Sequence, residues 1–221
     1  MMSGVNGGID YEIDLSSLPE DVARRVEYVQ GGPDSPTALI DAAHAIAACR
    51  ISSTLPVMVD MLGFNNPIAA NIAIDALVRG GKDSVEFLLK GVGAFNYAVN
   101  AYALRALGRI GDPAVVDVCM ECARGGPIPN VRRAACNALG QLLYNDQADC
   151  TGAVELLLLL LQDPDWSVRY ASVSALHQFK QWQMIEDVIP SIRARLEQVA
   201  SQDSDRAVKA RAHVALERYA T

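Results

Sequence analysis

An Ala-Leu pair returns along this chain at intervals that only a repeated helical unit explains. The pairs are Ala76-Leu77, Ala106-Leu107, Ala138-Leu139, Ala175-Leu176 and Ala215-Leu216, preceded by a weaker Ala45-Ile46. Their leucines step by 30, 32, 37 and 40 residues, within the period range of stacked two-helix repeats. In the best-formed copy, Val131, Ala134, Ala135, Ala138 and Leu139 fall at offsets 0, 3, 4, 7 and 8, a single stripe on an α-helix. Val168, Ala171, Ser172, Ala175 and Leu176 repeat that spacing. Small residues let neighbouring helices approach closely, while Val and Leu fill the space between layers. No lone helix pair can bury such a stripe, so the pairs must stack.

Between the Ala-Leu helices lie shorter amphipathic segments, so the chain alternates outer and inner helices. The outer set is predicted over Thr54–Leu62, Asp83–Val92, Pro113–Arg124, Gly152–Gln162 and Met184–Ser201. The inner set covers Ile68–Arg79, Tyr97–Ile110, Val131–Leu143, Trp166–Phe179 and Arg206–Tyr219. Most inner helices follow an Asn or Asp turn (Asn65-Asn66-Pro67, Asn96, Asp163-Pro164-Asp165, Asp203-Ser204-Asp205), whose side chains can accept from orphan amides at the helix start. Ahead of them, Ser17 with Pro19, Glu20 and Asp21 reads as a further helix start that Gly31-Gly32-Pro33 ends. The fold class is all-α, an α-solenoid of about six helix pairs curved as a right-handed superhelix. Residues 1–17 are expected to be a flexible acidic lead, and residues 18–221 a single repeat domain.

The net charge of -7 is unevenly spread, since the first 34 residues hold seven acids against two bases and so carry five of the seven excess charges. The repeat body is nearly neutral and lacks the basic footprint of a nucleic-acid binder. Leu156–Leu161, the most apolar run, is too short to cross a bilayer, and no basic flank precedes an apolar run at the N-terminus. A cytoplasmic protein without nucleic acid or membrane as partner is expected. The five cysteines sit within helical pattern and read as reduced thiols. Cys119 and Cys122 form a C-x-x-C, but no second pair follows at zinc spacing, so both read as small core groups and no metal is expected. His44, His177 and His213 are isolated, none followed by Glu.

The Asp-Pro turn, the Val-Arg pair and the Ala-x-x-x-Ala-Leu spacing resemble HEAT repeats of the short, alanine-rich kind found in phycobilisome lyases. Asn96 through Pro113, read in a chain of this length, is similar to the F-type subunit of heterodimeric phycobilin lyases, and the resemblance spans most of residues 30 to 220. It implies a subunit that works with an E-type partner to attach a linear tetrapyrrole, its substrate, to a cysteine of a phycobiliprotein α subunit, with no tightly bound cofactor. Members that also isomerise the pigment carry Asn-His-Cys-Cys where this chain reads Asn96-Tyr97-Ala98-Val99, so isomerase activity is expected to be absent. A non-catalytic adaptor or phycobilisome-degradation protein is the alternative within the same repeat class.

If the stripe at offsets 0, 3, 4, 7 and 8 is core, offsets 1, 2, 5 and 6 face a groove. They are Ala70, Asn71, Ile74 and Asp75; Asn100, Ala101, Leu104 and Arg105; Arg132, Arg133, Cys136 and Asn137; and Arg169, Tyr170, Val173 and Ser174. A bilin offers two propionates, which guanidinium groups bind through paired hydrogen bonds, and pyrrole N–H groups that a carboxylate accepts. Arg105, Arg132, Arg133 and Arg169 suit the first need, supported by Asn71, Asn96, Asn100 and Asn137. Asp75 suits the second and is the catalytic-acid candidate. Tyr97, Tyr102, Trp166 and Tyr170 can pack on conjugated rings. Beside this stands a purely structural reading of Arg132 and Arg169, since the Arg of a Val-Arg pair commonly joins an Asp of the neighbouring repeat. The N-terminal half, with its acidic lead, is expected to meet the partner chain.

Overall fold

The computed structural model describes residues 9–126, 128–179 and 182–219. Among these residues it holds twelve α-helices and no strand. The chain divides into two compact units, Met1–Ile110 and Gly111–Thr221, and three helix pairs fall to each. In the first unit the pairs are α1 (Glu20–Gln30) with α2 (Pro36–Cys49), α3 (Leu55–Met61) with α4 (Pro67–Gly80), and α5 (Val85–Val92) with α6 (Tyr97–Ile110). In the second they are α7 (Val116–Gly125) with α8 (Pro129–Leu139), α9 (Gln147–Leu160) with α10 (Trp166–Gln178), and α11 (Ile189–Gln202) with α12 (Arg206–Glu217). Inner helices pack side by side within a unit, α4 between α2 and α6, and α10 between α8 and α12.

Helix starts obey the capping chemistry of the turns. Asn66 Oδ1 accepts from the amides of Ile68 and Ala69, Asp165 Oδ1 from Ser167, and Asp205 Oδ1 from Ala207 and Val208. Three boundaries differ from the sequence pattern by four or five residues, and at one of them α11 begins at Ile189 rather than Met184, behind a 3-10 turn over Glu186–Val188. Helix α9 begins five residues before the predicted Gly152, because Asp146 accepts from the Asp149 amide at 2.9 Å and supplies an earlier cap. Helix α8 stops at Leu139, because Gly140 lies against α10, where a Cβ would stand 2.6 Å from Ala175 Cα. Ser17 caps nothing: α1 starts at Glu20 behind Pro19, with no side-chain cap.

The expected acidic lead is only partly within the described residues, its first eight lying outside them. The described part is packed rather than loose. Ile9 is buried and its amide donates to Asp60 Oδ1 at 3.2 Å, while the Tyr11 hydroxyl donates to Asp60 Oδ2 at 2.7 Å. Asp60 is 3% exposed within α3, whose residues are all buried. Burial disfavours the ionised carboxylate and pushes its pKa up to about 6, against the two hydrogen bonds that favour the charged form. Desolvation and the neighbouring carboxylate push the Tyr11 phenol upward as well.

The buried arc of each inner helix is wider than one stripe. Ala70 and Ile74 of α4, Ala101 and Leu104 of α6, Cys136 of α8, and Val173 and Ser174 of α10 are all buried, although the spacing assigns them to the groove. An inner helix packs against its own outer helix and also against inner helices of adjacent pairs, and the second contact covers offsets 1 and 5. The positions left exposed lie on the line at offsets 2, 6 and 10, from which Ala101 and Ser174 are turned inward.

Candidate functional site

Along α4 that open line reads Asn71, Asp75 and Arg79, and along α6 it reads Ala101, Arg105 and Arg109, with Ala101 turned inward. Four-residue spacing keeps each set on one face of its helix. Across the two helices, Arg105 Nη1 donates to Asn71 Oδ1 at 3.1 Å and Arg109 Nη1 to Asp75 Oδ1 at 2.7 Å. Arg79 Nη2 donates to the Ala47 carbonyl of α2 at 3.4 Å. Of the residues the sequence singled out in this unit, Asn71, Asp75 and Arg105 therefore come together in one exposed polar ladder.

The others in this unit stand apart. Asn96 caps α6 through Oδ1, which accepts from the Ala98 amide at 2.9 Å. Tyr97 follows it, half-exposed at the same helix start. Asn100 is 9% exposed, with its Oδ1 buried and without a partner among the described residues. It occupies the offset that Arg132 and Arg169 occupy in α8 and α10, and it is core rather than groove. Arg79 and Arg109 are functional candidates that the spacing argument missed, because it stopped at offset 8. Carrying the i+4 step one turn further from Asp75 and Arg105 would have found both.

In the second unit the arginines divide. Arg132 Nε and Nη2 donate to the two oxygens of Asp163 at 2.9 and 3.0 Å, and Nη1 to the Gly126 carbonyl. One pair later Arg169 repeats the arrangement, Nε and Nη2 on Asp203 at 2.8 and 2.9 Å and Nη1 on the Asp163 and Pro164 carbonyls. These forks are shielded, with side-chain exposures of 15% and 5% for the first pair and 12% and 5% for the second. Hydrogen bonding to Asp203 raises the Arg169 pKa, and the Arg169 fork holds Asp203 below the usual carboxylate range. Each aspartate also accepts the amide two residues ahead, Asp165 or Asp205, which is itself the next helix cap. Arg132 and Arg169 thus spend Nε and Nη2 on joining repeats and Nη1 on the turn before their own helix. This corrects their assignment to the groove: the Asp-x-Asp turn presents a buried carboxylate at the distance a planar guanidinium fork fits.

Arg133, Asn137 and Tyr170 remain on the accessible edge of this unit. Arg133 is exposed and, among the described residues, bonded to Asn130 Oδ1 alone, at 2.6 Å; Asn137 is half-buried, and Tyr170 is exposed beside the half-exposed Trp166. Three of the thiols are poor nucleophiles: burial pushes Cys119 and Cys136 up to about 12 and Cys150 up to about 11. Among the described residues, no cluster of three or more His, Cys, Asp or Glu could hold a metal ion, and no helix is long and apolar enough to cross a membrane.

Comparison with known proteins identifies this helical scaffold. HEAT repeat models match residues 85–151 and 153–183. The chain is 35% identical over 184 residues to the phycocyanobilin lyase subunit beta of Nostoc sp. PCC 7120, covering 80% of this chain and 90% of that one. It is 34% identical over 191 residues to the subunit of the same name from Thermosynechococcus vestitus, covering 83% and 90%. The chain belongs to the F-type, or beta, subunits of the phycobilin lyases. Its F-type fold agrees: the solved complex of CpcE and CpcF of phycocyanin lyase from Nostoc sp. PCC 7120 matches with a TM-score of 0.68 at 36% identity, over 75% of this chain and 99% of that one. In this F-type subunit the repeated Val-Arg pairs serve the stacking of repeats, and Arg79, Arg105, Arg109 and Arg133 are left on exposed edges.

Proposed function

We propose that this chain is one half of a heterodimeric bilin lyase that binds a linear tetrapyrrole and directs its attachment to a cysteine of a phycobiliprotein α subunit. The observation that carries this reading is identity of 34–36% to F-type lyase subunits, along nearly their whole length, one of them solved together with its E-type partner. The reaction adds a thiol of the acceptor protein to the pigment: a carbon–sulfur bond forms, a carbon–carbon double bond is consumed, and a proton is taken up on carbon. No leaving group departs. The nucleophile comes from the acceptor, in keeping with the burial of the Cys119 and Cys136 thiols. Its own task is to hold and orient the pigment and to control protonation.

For that task the open edges offer Arg105, Asn71 and Asp75 in the first unit and Arg133, Asn137 and Tyr170 in the second. Asn96 and Tyr97, at the start of α6, take the place of the isomerase motif of other members. With neither His nor Cys there, the product keeps the double-bond arrangement made by direct addition. Co-expression with a bilin source, an apo α subunit and an E-type chain tests the whole reading. Denatured α subunit should show zinc-induced bilin fluorescence only when both lyase chains are present, with the spectrum of the non-isomerised adduct. Absence of covalent pigment refutes the lyase reading, and an isomerised spectrum refutes the assignment at Asn96–Val99.

A further inference from the structure

At the C-terminal ends of α2 and α4, beyond the polar ladder, the first unit opens a recess of about 240 Å³. Its floor is apolar, made by Ile46, Leu55 and Met58, all buried. Its rim carries two cations, Arg50 and Arg79. Arg50 closes α2 in the left-handed region, at φ +52°. A side chain with a Cβ pays for that conformation, and here the turn sets the guanidinium at the mouth of the recess. Neither arginine lies within ion-pairing distance of a carboxylate among the described residues, and Arg79 makes only the long bond to Ala47. Asp83, on the same rim, pairs with neither.

A second, shallower groove of about 380 Å³ shares Ala47, Arg50 and Arg79 with the recess and runs past His44 to Ile72 and Asp75. Asp75 gives Oδ1 to Arg109, which leaves Oδ2 without a hydrogen bond among the described residues. Two open guanidiniums over an apolar floor suit a carboxylate on a short hydrocarbon arm. The carboxylate forks onto the nitrogens while the arm displaces water from Ile46 and Met58. The recess is smaller than the roughly 300–1,000 Å³ that engulfs a whole drug-sized ligand, so it takes one end of a long flat molecule and leaves the rest in the groove. There a carboxylate faces the ligand edge, where an N–H donor would lie.

We infer that the recess and groove between α2 and α4 seat a propionate-bearing end of the linear tetrapyrrole. Arg50 and Arg79 take the propionate, and Asp75 Oδ2 accepts from a pyrrole N–H. This rests on the function proposed above and moves the carboxylate-binding role away from the arginines of the second unit.

The test uses the full-length chain, alone and paired with its E-type subunit, titrated with biliverdin and with biliverdin dimethyl ester while the red absorbance band is followed. The free acid should bind about tenfold more tightly than the ester, the scale of a lost charge-assisted fork. Arg50→Gln with Arg79→Gln should erase that preference, and Arg79→Lys should restore part of it. Circular dichroism verifies folding, and the single substitutions serve if the double variant is unstable. Equal binding of acid and ester by the unaltered chain, or a preference that survives the double substitution, overturns the inference. The same samples go into the covalent attachment assay. Wild-type product formed with the preference intact in the double variant condemns this site alone, whereas no wild-type product condemns the lyase reading.

Discussion

The two units use arginine in opposite ways. In the second, Arg132 and Arg169 sit at offset 1 of their helices, shielded and bound through both prongs to Asp163 and Asp203. In the first, Arg105 and Arg109 sit at offsets 6 and 10 and make one side-chain bond each, with the Arg109–Asp75 pair 37% and 54% exposed. Residue type is the same; position on the helix decides the role. An arginine at offset 1 is consumed by the aspartate of the next repeat's turn, and one at offset 6 or 10 makes a single bond to the neighbouring inner helix and keeps donors for a ligand.

Breaking the joint in the second unit should have the largest effect. Arg169→Ala leaves Asp203 buried without its counter-charge, a loss of about 3–5 kcal/mol, read as a fall in the urea midpoint. A cost under about 1 kcal/mol would mean the fork behaves as a surface pair and would dissolve the contrast.

The pH responses of the two units should differ in sign. Asp60 has a folded pKa of about 6, above its unfolded value of 3.8. Its contribution is therefore complete below pH 4 and is lost as pH rises through 6, on the order of 3 kcal/mol over that range. Asp203 is shifted the other way, so its contribution is present above pH 4 and disappears on further acidification. Asp60→Asn should flatten the stability profile between pH 4 and 7, as measured by urea unfolding at each pH. An unchanged slope would show that the carboxylate is not held by its burial.

The smallest effect is expected at the exposed ladder. Arg109→Ala removes a solvent-screened pair and should lower stability by no more than about 1 kcal/mol. Thermal unfolding measures it, and a larger loss would place Arg109 among the structural arginines.

Much of the fold is legible in the letters, because repetition multiplies weak signals. Ala-Leu spacing marks every inner helix from α4 to α12, and Asn66, Asp165 and Asp205 announce their starts. The structural role of Arg132 and Arg169 is readable too, from the Val-Arg pair followed by an Asp-x-Asp turn. The open edge is harder to read. A stripe of five positions shows one buried contact, whereas Ala70, Ile74 and Leu104 are covered by a second one made with adjacent helices, and apolar residues there look the same either way. Arg79 and Arg109 lie one turn beyond the stripe. The docking of Ile9 and Tyr11 on Asp60 has no local pattern at all, since it joins residues about fifty positions apart through one carboxylate.

That last contact orders events in time. Residues 9 and 11 are synthesised before their partner on α3, which follows 51 and 49 residues later. Until α3 has emerged, the nascent lead lacks its carboxylate partner and has only the weak bond from Gln30 of α1 to the Tyr11 hydroxyl. A segment made before the helix it docks on is thus fastened late, and the first unit is completed only once α3 is in place.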